Sequence, residues 1–242
     1  MPHRVLSIEE VAQYLHLSPA DVEQRVKDRV IPFEKRGPKI VFRKSDIDMW
    51  ASQRILQLSE NKLEDYHHKS TSRTREYLPE EAILPDLLER GAIDSAMKAK
   101  TKSSVLRELA GLAEKTWQVS DAKELLASLE AREELCSTGV PGGLALPHPR
   151  FQQPYLLESS FLVVGRPIQE IYFGAPDGQP TSLFFLICCQ DDRLHLHTLA
   201  RLCLMAMKTD VVAQLLQAPD AGSMRELLFQ AERAVLPERK AG

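Results

Sequence analysis

The sequence predicts an α/β fold: a mixed-sheet sandwich filling the C-terminal two thirds, behind a small N-terminal unit of short helices and a β-ribbon. Three observations carry that expectation. Between residues 83 and 232, strand-length apolar runs alternate with helical stripes, the pattern of helices packed on a sheet. Two helix-start signals, at Ser7 and Ser18, fall within the first twenty residues with room for only one short helix between them. The charge also changes sign along the chain. Of the 31 Lys+Arg and 34 Asp+Glu in the 242 residues, residues 1–75 hold 14 and 11, a balance of +3; residues 76–242 hold the remaining 17 and 23, a balance of -6. A mildly basic head on an acidic body predicts two domains with different partners.

In the head, Ser7-Ile8-Glu9-Glu10 is a capping box, and Val11, Ala12 and Leu15 continue one apolar face. Ser18 then precedes Pro19 at a first helical position, with Asp21 three residues after the serine and Val22 and Val26 as the buried stripe. Two short helices joined by the turn at residues 14–17 are a helix-turn-helix candidate. Arg25 and Lys27 lie on the outward face of the second helix. Residues 31–43 read as a strand pair around Gly37-Pro38, with Lys35, Arg36, Lys39 and Arg43 at its tip and flank. That crowding of cations suits phosphate contact, so these six residues are the nucleic-acid-binding candidates. Ser45-Asp46-Ile47-Asp48 reads as a third capping box, opening a helix with Ile47, Trp50, Ile55 and Leu58 inward. Domain bounds are expected at 1–60 and 80–235.

Residues 61–79 are polar and aperiodic, which predicts a flexible or weakly helical linker. His67 and His68 are adjacent but lack a convincing third ligand, so no metal site and no cofactor are expected. The four cysteines form no CxxC pair and read as reduced thiols, mostly buried. No apolar run approaches a membrane span and the first residues lack a signal-peptide core, so a cytoplasmic protein is expected.

The body opens with an amphipathic turn at Ile83, Leu84, Leu87 and Leu88. A helix follows carrying Val105, Leu106 and Leu109, then another over residues 120–135. Strands are expected at 159–164, 168–173 and 181–189, and helices after Asp191 and at 223–232. The chemistry-bearing stretch is Gly142-Gly143-Leu144-Ala145-Leu146-Pro147-His148-Pro149-Arg150. Glycines permit close backbone approach, a histidine can act as nucleophile and an arginine can clamp oxygens, so the stretch is a plausible phosphoryl seat.

Two resemblances sharpen this reading. Residues 6–50 resemble the excisionase-type, MerR-like winged helix-turn-helix DNA-binding domain, through Leu6-Ser7-Ile8-Glu9-Glu10-Val11-Ala12, the second helix, and Arg43-Lys44-Ser45-Asp46-Ile47-Asp48-Met49-Trp50. Such domains usually carry glycine after the second helix, where this chain has Arg29-Val30. Residues 83–232 resemble the type-2 enzyme IIA domain of the phosphoenolpyruvate-dependent sugar phosphotransferase system, the fructose, mannitol and nitrogen-regulatory group. The motifs are Arg132-Glu133 with Ser137-Thr138-Gly139, then Gly143–His148, Phe173–Gly178 and His195–Ala200.

The second resemblance implies an α/β sandwich of the IIA type-2 kind. It further implies that His148 accepts a phosphoryl group from a small phosphocarrier protein, that His195 is the second active-site histidine, and that Arg132 is the site arginine. Arg150, Ser137, Thr138, Gly142 and Gly143 are expected as phosphate contacts, Arg150 on chain proximity alone. The chain is then a phosphotransfer intermediate. Joined to the head, it suggests a regulator that couples phosphorylation to binding of double-stranded DNA or a protein target, as a homodimer if DNA is bound. A sugar-uptake relay component with an adaptor head, and a IIA-like protein-binding regulator, stay open as alternatives.

Overall fold

The computed structural model describes residues 5–73, 82–149 and 155–236, with side chains left undescribed at 68–73. In the head, β1 (Val5–Leu6) leads into α1 (Ile8–Tyr14), and α2 (Pro19–Lys27) follows after one turn. Both helices start at full capping boxes, on Ser7 with Glu10 and on Ser18 with Asp21. The wing is β2 (Glu34–Arg36) and β3 (Lys39–Arg43), antiparallel around Gly37, with β1 on the other side of β3. Arg29 stands where a glycine is usual after the second helix, and it takes the left-handed backbone itself, at φ 55.

The helix α3 (Lys44–Ile55) begins two residues earlier than expected. Its N-cap is Arg43, which makes no side-chain cap bond, so Ser45 lies inside the first turn and closes no capping box. Of the two expectations for the connector, flexible or weakly helical, the helix α4 (Glu60–Arg73) fits the second. It is an ordered helix, with Leu63 fully buried and His67 nearly so. Over residues 60–67 it is seated by Leu63, Tyr66 and His67, with the other side chains exposed. Residues 74–79 of the expected linker lie outside the described residues.

The body runs α5 (Leu84–Glu89), β4 (Ala92–Met97), α6 (Lys102–Glu114), α7 (Ala122–Glu133), β5 (Gly139–Val140), β6 (Leu144–Ala145), β7 (Phe161–Pro167), β8 (Leu183–Cys188), α8 (Asp192–Lys208), α9 (Val211–Gln217) and α10 (Ala221–Val235). The sheet order is β4-β7-β8-β6-β5, parallel for β4–β7 and β6–β8 and antiparallel for β7–β8 and β5–β6. It is the mixed sheet the sequence predicts. Residues 168–173, expected as a strand, contribute only the isolated bridge Ile171–Thr181. The Asp-Gly turn at 177–178 folds them away from the sheet.

The two central strands show how the layers form. Phe161 and Val163 of β7, with Phe184, Leu186 and Cys188 of β8, face α6 and α7. The alternate residues Leu162, Val164, Leu183, Phe185 and Ile187 face α5, α8 and α10. Burial on both faces is why these strands read as unbroken apolar runs. The second of these cores does not stop at the body. It continues through α8 into Ile47, Ala51 and Ile55 of α3, Leu63 of α4, and the head's own interior.

The helix α8 is therefore enclosed, with eleven consecutive buried residues from His195 to Met205. One enclosed charge is held in full. Arg201 Nη1 pairs with Glu232 Oε1 at 2.6 Å, Arg201 Nε donates to His67 Nε2 at 2.6 Å, and Arg201 Nη2 lies 3.0 Å from His197 Nε2. The Glu232 carboxylate also accepts the amides of Ile83 and Leu84, at 2.8 and 3.0 Å. The His67 and His197 rings stack at 5.0 Å. This cluster ties α4, α8, α10 and the start of α5 together around one guanidinium.

Candidate functional site

The site forms where the run from β6 meets the last turn of α7 and the first turn of α8. Asp191 caps α8, accepting from the amides of Arg193 and Leu194, and this sets the position of His195 in the next turn. Arg132 ends α7. The loop beyond it is fixed by buried Glu133, which accepts the Thr138 amide at 2.9 Å and the Thr138 hydroxyl at 2.7 Å and pairs with Lys102 at 3.0 Å. Leu146 N donates to Thr138 O at 3.0 Å, so this loop also holds the segment that presents His148.

His148, His195 and Arg132 converge. The two imidazoles are 4.7 Å apart between ring centroids, tilted by 55°. His148 Nδ1 lies 2.8 Å from the carbonyl oxygen of Leu146, which only a protonated nitrogen can satisfy; the lone pair is therefore on Nε2. Arg132 Nε donates to that Nε2 at 3.0 Å, while Arg132 Nη1 donates to the carbonyl oxygen of Cys136 at 3.0 Å. Two buried polar atoms here have no partner among the described residues: Arg132 Nη2 and His195 Nδ1.

Both histidines are held neutral. Burial pushes the pKa of His148 well below its ordinary value, and the neighbouring His195 and Arg132 push it further, against the Leu146 carbonyl. His195 is pushed down to about 3, by burial and then by Arg132. A neutral imidazole with its lone pair on Nε2 is the nucleophilic form.

The remaining expected contacts divide. Thr138 is fully buried and committed to Glu133. The Ser137 hydroxyl donates to Phe173 O at 3.0 Å and accepts from Gly139 N at 3.0 Å. Both serve the loop rather than presenting a free hydroxyl to His148. Gly142 and Gly143 sit at the tip of the β5–β6 hairpin with φ 92 and 79. The Gly142 amide is taken by Asp177 Oδ2 at 3.2 Å. Both glycines serve the tight turn of this hairpin. Arg150 lies outside the described residues.

On the head, Lys35, Arg36 and Lys39 are exposed along the wing, and Lys27 is exposed on α2. Arg25 is half-buried and donates to Asp21 O at 3.0 Å. Glu34 pairs with Arg43 and, at 3.5 Å, with Arg36, offsetting part of the cationic patch.

Three residues of the site's surroundings carry no mark in the sequence. Ser52 of α3, 4% exposed, places Oγ 3.3 Å from His195 Nε2. Gln53 Nε2 donates to Cys136 Sγ at 3.2 Å. Lys44 pairs with Asp48 at 2.9 Å and with Asp192. The only available signal is a small polar residue on the buried stripe Ile47, Ala51, Ile55.

Comparison with known proteins agrees with this geometry. Residues 86–231, more than half the chain, match the family described as phosphoenolpyruvate-dependent sugar phosphotransferase system, EIIA 2; residues 5–55 match a helix-turn-helix domain family. The chain is 32% identical over 148 residues to a nitrogen regulatory protein of Bradyrhizobium diazoefficiens, covering 60% of this chain and 94% of that one. It is 25% identical over 152 residues to the fructose-specific EIIABC component of Bacillus subtilis; the match spans 62% of this chain and only 24% of that longer protein. The crystal structure of the nitrogen regulatory protein IIA-Ntr from Neisseria meningitidis superposes with a TM-score of 0.52 at 25% identity, covering 61% of this chain and 99% of that one. No helix among the described residues is long and apolar enough to cross a membrane. The chain belongs to the type-2 EIIA family of the phosphoenolpyruvate-dependent sugar phosphotransferase system, and carries a helix-turn-helix domain in front of it.

Proposed function

We propose that the protein is a phosphotransferase-system regulator that takes a phosphoryl group on His148 from a phosphocarrier protein and couples that state to DNA or protein binding by its head. The observation that carries this is the state of His148: neutral, with Nδ1–H committed to Leu146 O and the Nε2 lone pair directed at Arg132 beside His195.

In the transfer, Nε2 attacks phosphorus as the donor's bond to phosphorus breaks, and the departing donor atom keeps that electron pair. Arg132 must first release Nε2. Its guanidinium then turns to the phosphoryl oxygens, with Nη2 already unpaired, and His195 Nδ1 is the second group in reach. The imidazole ring gains positive charge as the new bond forms, and the Leu146 carbonyl oxygen stabilises it through Nδ1–H. The bound phosphoryl group brings anionic oxygens that the cationic ring offsets only in part, and the added negative charge alters what docks nearby.

The fused head favours regulation over a bare uptake relay, because exposed Lys27, Lys35, Arg36 and Lys39 leave one face of it cationic on an otherwise acidic chain. The direct test is incubation with phosphoenolpyruvate-charged phosphocarrier protein and intact mass measurement. Wild type gains one phosphoryl mass and His148→Ala gains none. Equal labelling of both removes His148 from the role.

A further inference from the structure

We infer that helix α3 of the head is a plug over the phosphoacceptor site, displaced by the phosphoryl donor and kept out by the phosphoryl group. This rests on the reading of His148 as phosphoacceptor and adds to it the element that regulates access.

Two adjacent residues of α3 reach the groups beside His148, one by touching His195 and the other by touching Cys136, a partner of Arg132. Ser52 Oγ rests 3.3 Å from His195 Nε2. Gln53 Nε2 bonds Cys136 Sγ at 3.2 Å, and Cys136 is held from below by Arg132 Nη1. A third contact closes the rim, where Lys44 at the start of α3 lies between Asp48 and Asp192, with its ammonium 5.0 Å from the centre of the Tyr14 ring. Asp192 is in the first turn of α8, the turn that leads to His195. Head and site therefore share one clamp, and the core beneath it is continuous.

With α3 seated, the nucleophile is sealed. His148 is 3% exposed, His195 4% and Arg132 1%. Productive attack needs phosphorus within about 3–3.5 Å of Nε2, so a protein donor must reach the imidazole pair, one ring of which Ser52 touches. Closed head and docked donor exclude one another. After transfer, the phosphoryl group requires the volume and hydrogen-bond donors of a pocket lined by Arg132 and His195. By thermodynamic reciprocity, the factor by which docking of α3 weakens phosphorylation equals the factor by which phosphorylation weakens docking. A phosphorylated chain is then one with α3 released.

The test uses the full chain and two opposed variants. Gln53→Cys is joined to native Cys136 by a short bis-maleimide, and compared with the same variant capped at both thiols by a mono-maleimide. Ser52→Trp wedges the contact open, and Lys44→Ala loosens the rim should the tryptophan compromise folding. Each is incubated with phosphoenolpyruvate-charged phosphocarrier protein and followed by mass. The linked chain is expected to label at least tenfold more slowly than the capped one, and the opened variants at least tenfold faster than wild type. Equal rates for linked and capped protein, with label on His148, overturn the plug and leave the relay standing. Absence of label on His148 in every form, opened variants included, overturns the relay reading and the plug with it.

Discussion

Arg132 Nε donates to His148 Nε2 at 3.0 Å, so the nitrogen proposed as nucleophile is bonded to a group that would have to let it go. Burial, then His195, then this guanidinium hold His148 neutral, and the guanidinium carries an Nη2 without a partner among the described residues. Replacing it therefore has two opposed effects: the lone pair is freed, but transition-state charge loses its principal cation. Loss of a preorganised donor of this kind costs about 10²–10³ in rate. Arg132→Ala is expected to slow labelling by that amount, and Arg132→Lys to recover only part of it, since an ammonium lacks the fork that spans Nε2 and Cys136 O. Single-turnover transfer from charged carrier measures both; a wild-type rate in Arg132→Ala would assign the arginine a packing role.

Protonation of the site should destabilise the fold. His195, pushed down to about 3, and His148, also depressed, are neutral in the folded protein but charge below about pH 6.5 once unfolded. In that interval the unfolded chain binds more protons, so stability falls as the pH falls from about 6.5 towards 3, by up to about 1.4 kcal/mol per pH unit for each histidine. Asp48, raised to about 6, works in the opposite direction between its ordinary value and 6. The difference between proteins isolates one residue. Denaturant unfolding at pH 7 and pH 5 should show a shallower acid loss for His195→Gln than for wild type, and identical losses would contradict a buried neutral His195.

The Arg201–Glu232 pair has no exposed surface on either side chain. Removing one partner of a buried pair costs about 3–5 kcal/mol, because the other charge is stranded. Arg201→Met is expected in that range by urea unfolding. The double change Arg201→Met with Glu232→Leu should cost less than the sum of the two singles. Strict additivity would show that the pair acts through separate partners.

On the wing, the cations are not equivalent. Glu34 already pairs with Arg43 and Arg36, whereas Lys35 and Lys39 are exposed with no ion pair to an acid described. If the head binds DNA, Lys35→Ala and Lys39→Ala should each weaken binding and reduce the salt slope by about 1, and Arg43→Ala should do less. Titration of DNA fragments at several salt concentrations reads both quantities. Affinity that ignores salt would exclude phosphate contact by this wing.

Much of this was legible in sequence because the signals were local. Ser7 and Ser18 cap their helices through residues three positions away, and β7 and β8 announce two-sided burial by unbroken apolar runs. The His148, His195 and Arg132 set was legible only as motifs, since sixteen residues or more separate its members; packing of α7, β6 and α8 brings them together. Other features failed for physical reasons. β4 reads Ala-Ile-Asp-Ser-Ala-Met, with too few β-branched residues to signal a strand, and it is held as an edge by β7. The glycine pair reads as a phosphate seat as readily as a tight turn, because both uses exploit the same backbone freedom; the hairpin shows the turn. The polar connector signalled α4 only weakly, since its anchor is a buried arginine 134 positions away from His67.

That anchor has a kinetic meaning. His67 fastens α4 to α8 through Arg201, so the break at residues 56–59, between α3 and α4, is the point about which α3 can swing. A segment so tethered never leaves the neighbourhood of His148. Through a link this short it faces the site at an effective concentration on the order of millimolar, and a free carrier must compete against that local supply. If a carrier charges His148, labelling keeps an ordinary saturating dependence on carrier, moved to higher carrier concentration by the factor that closure of the tethered helix imposes.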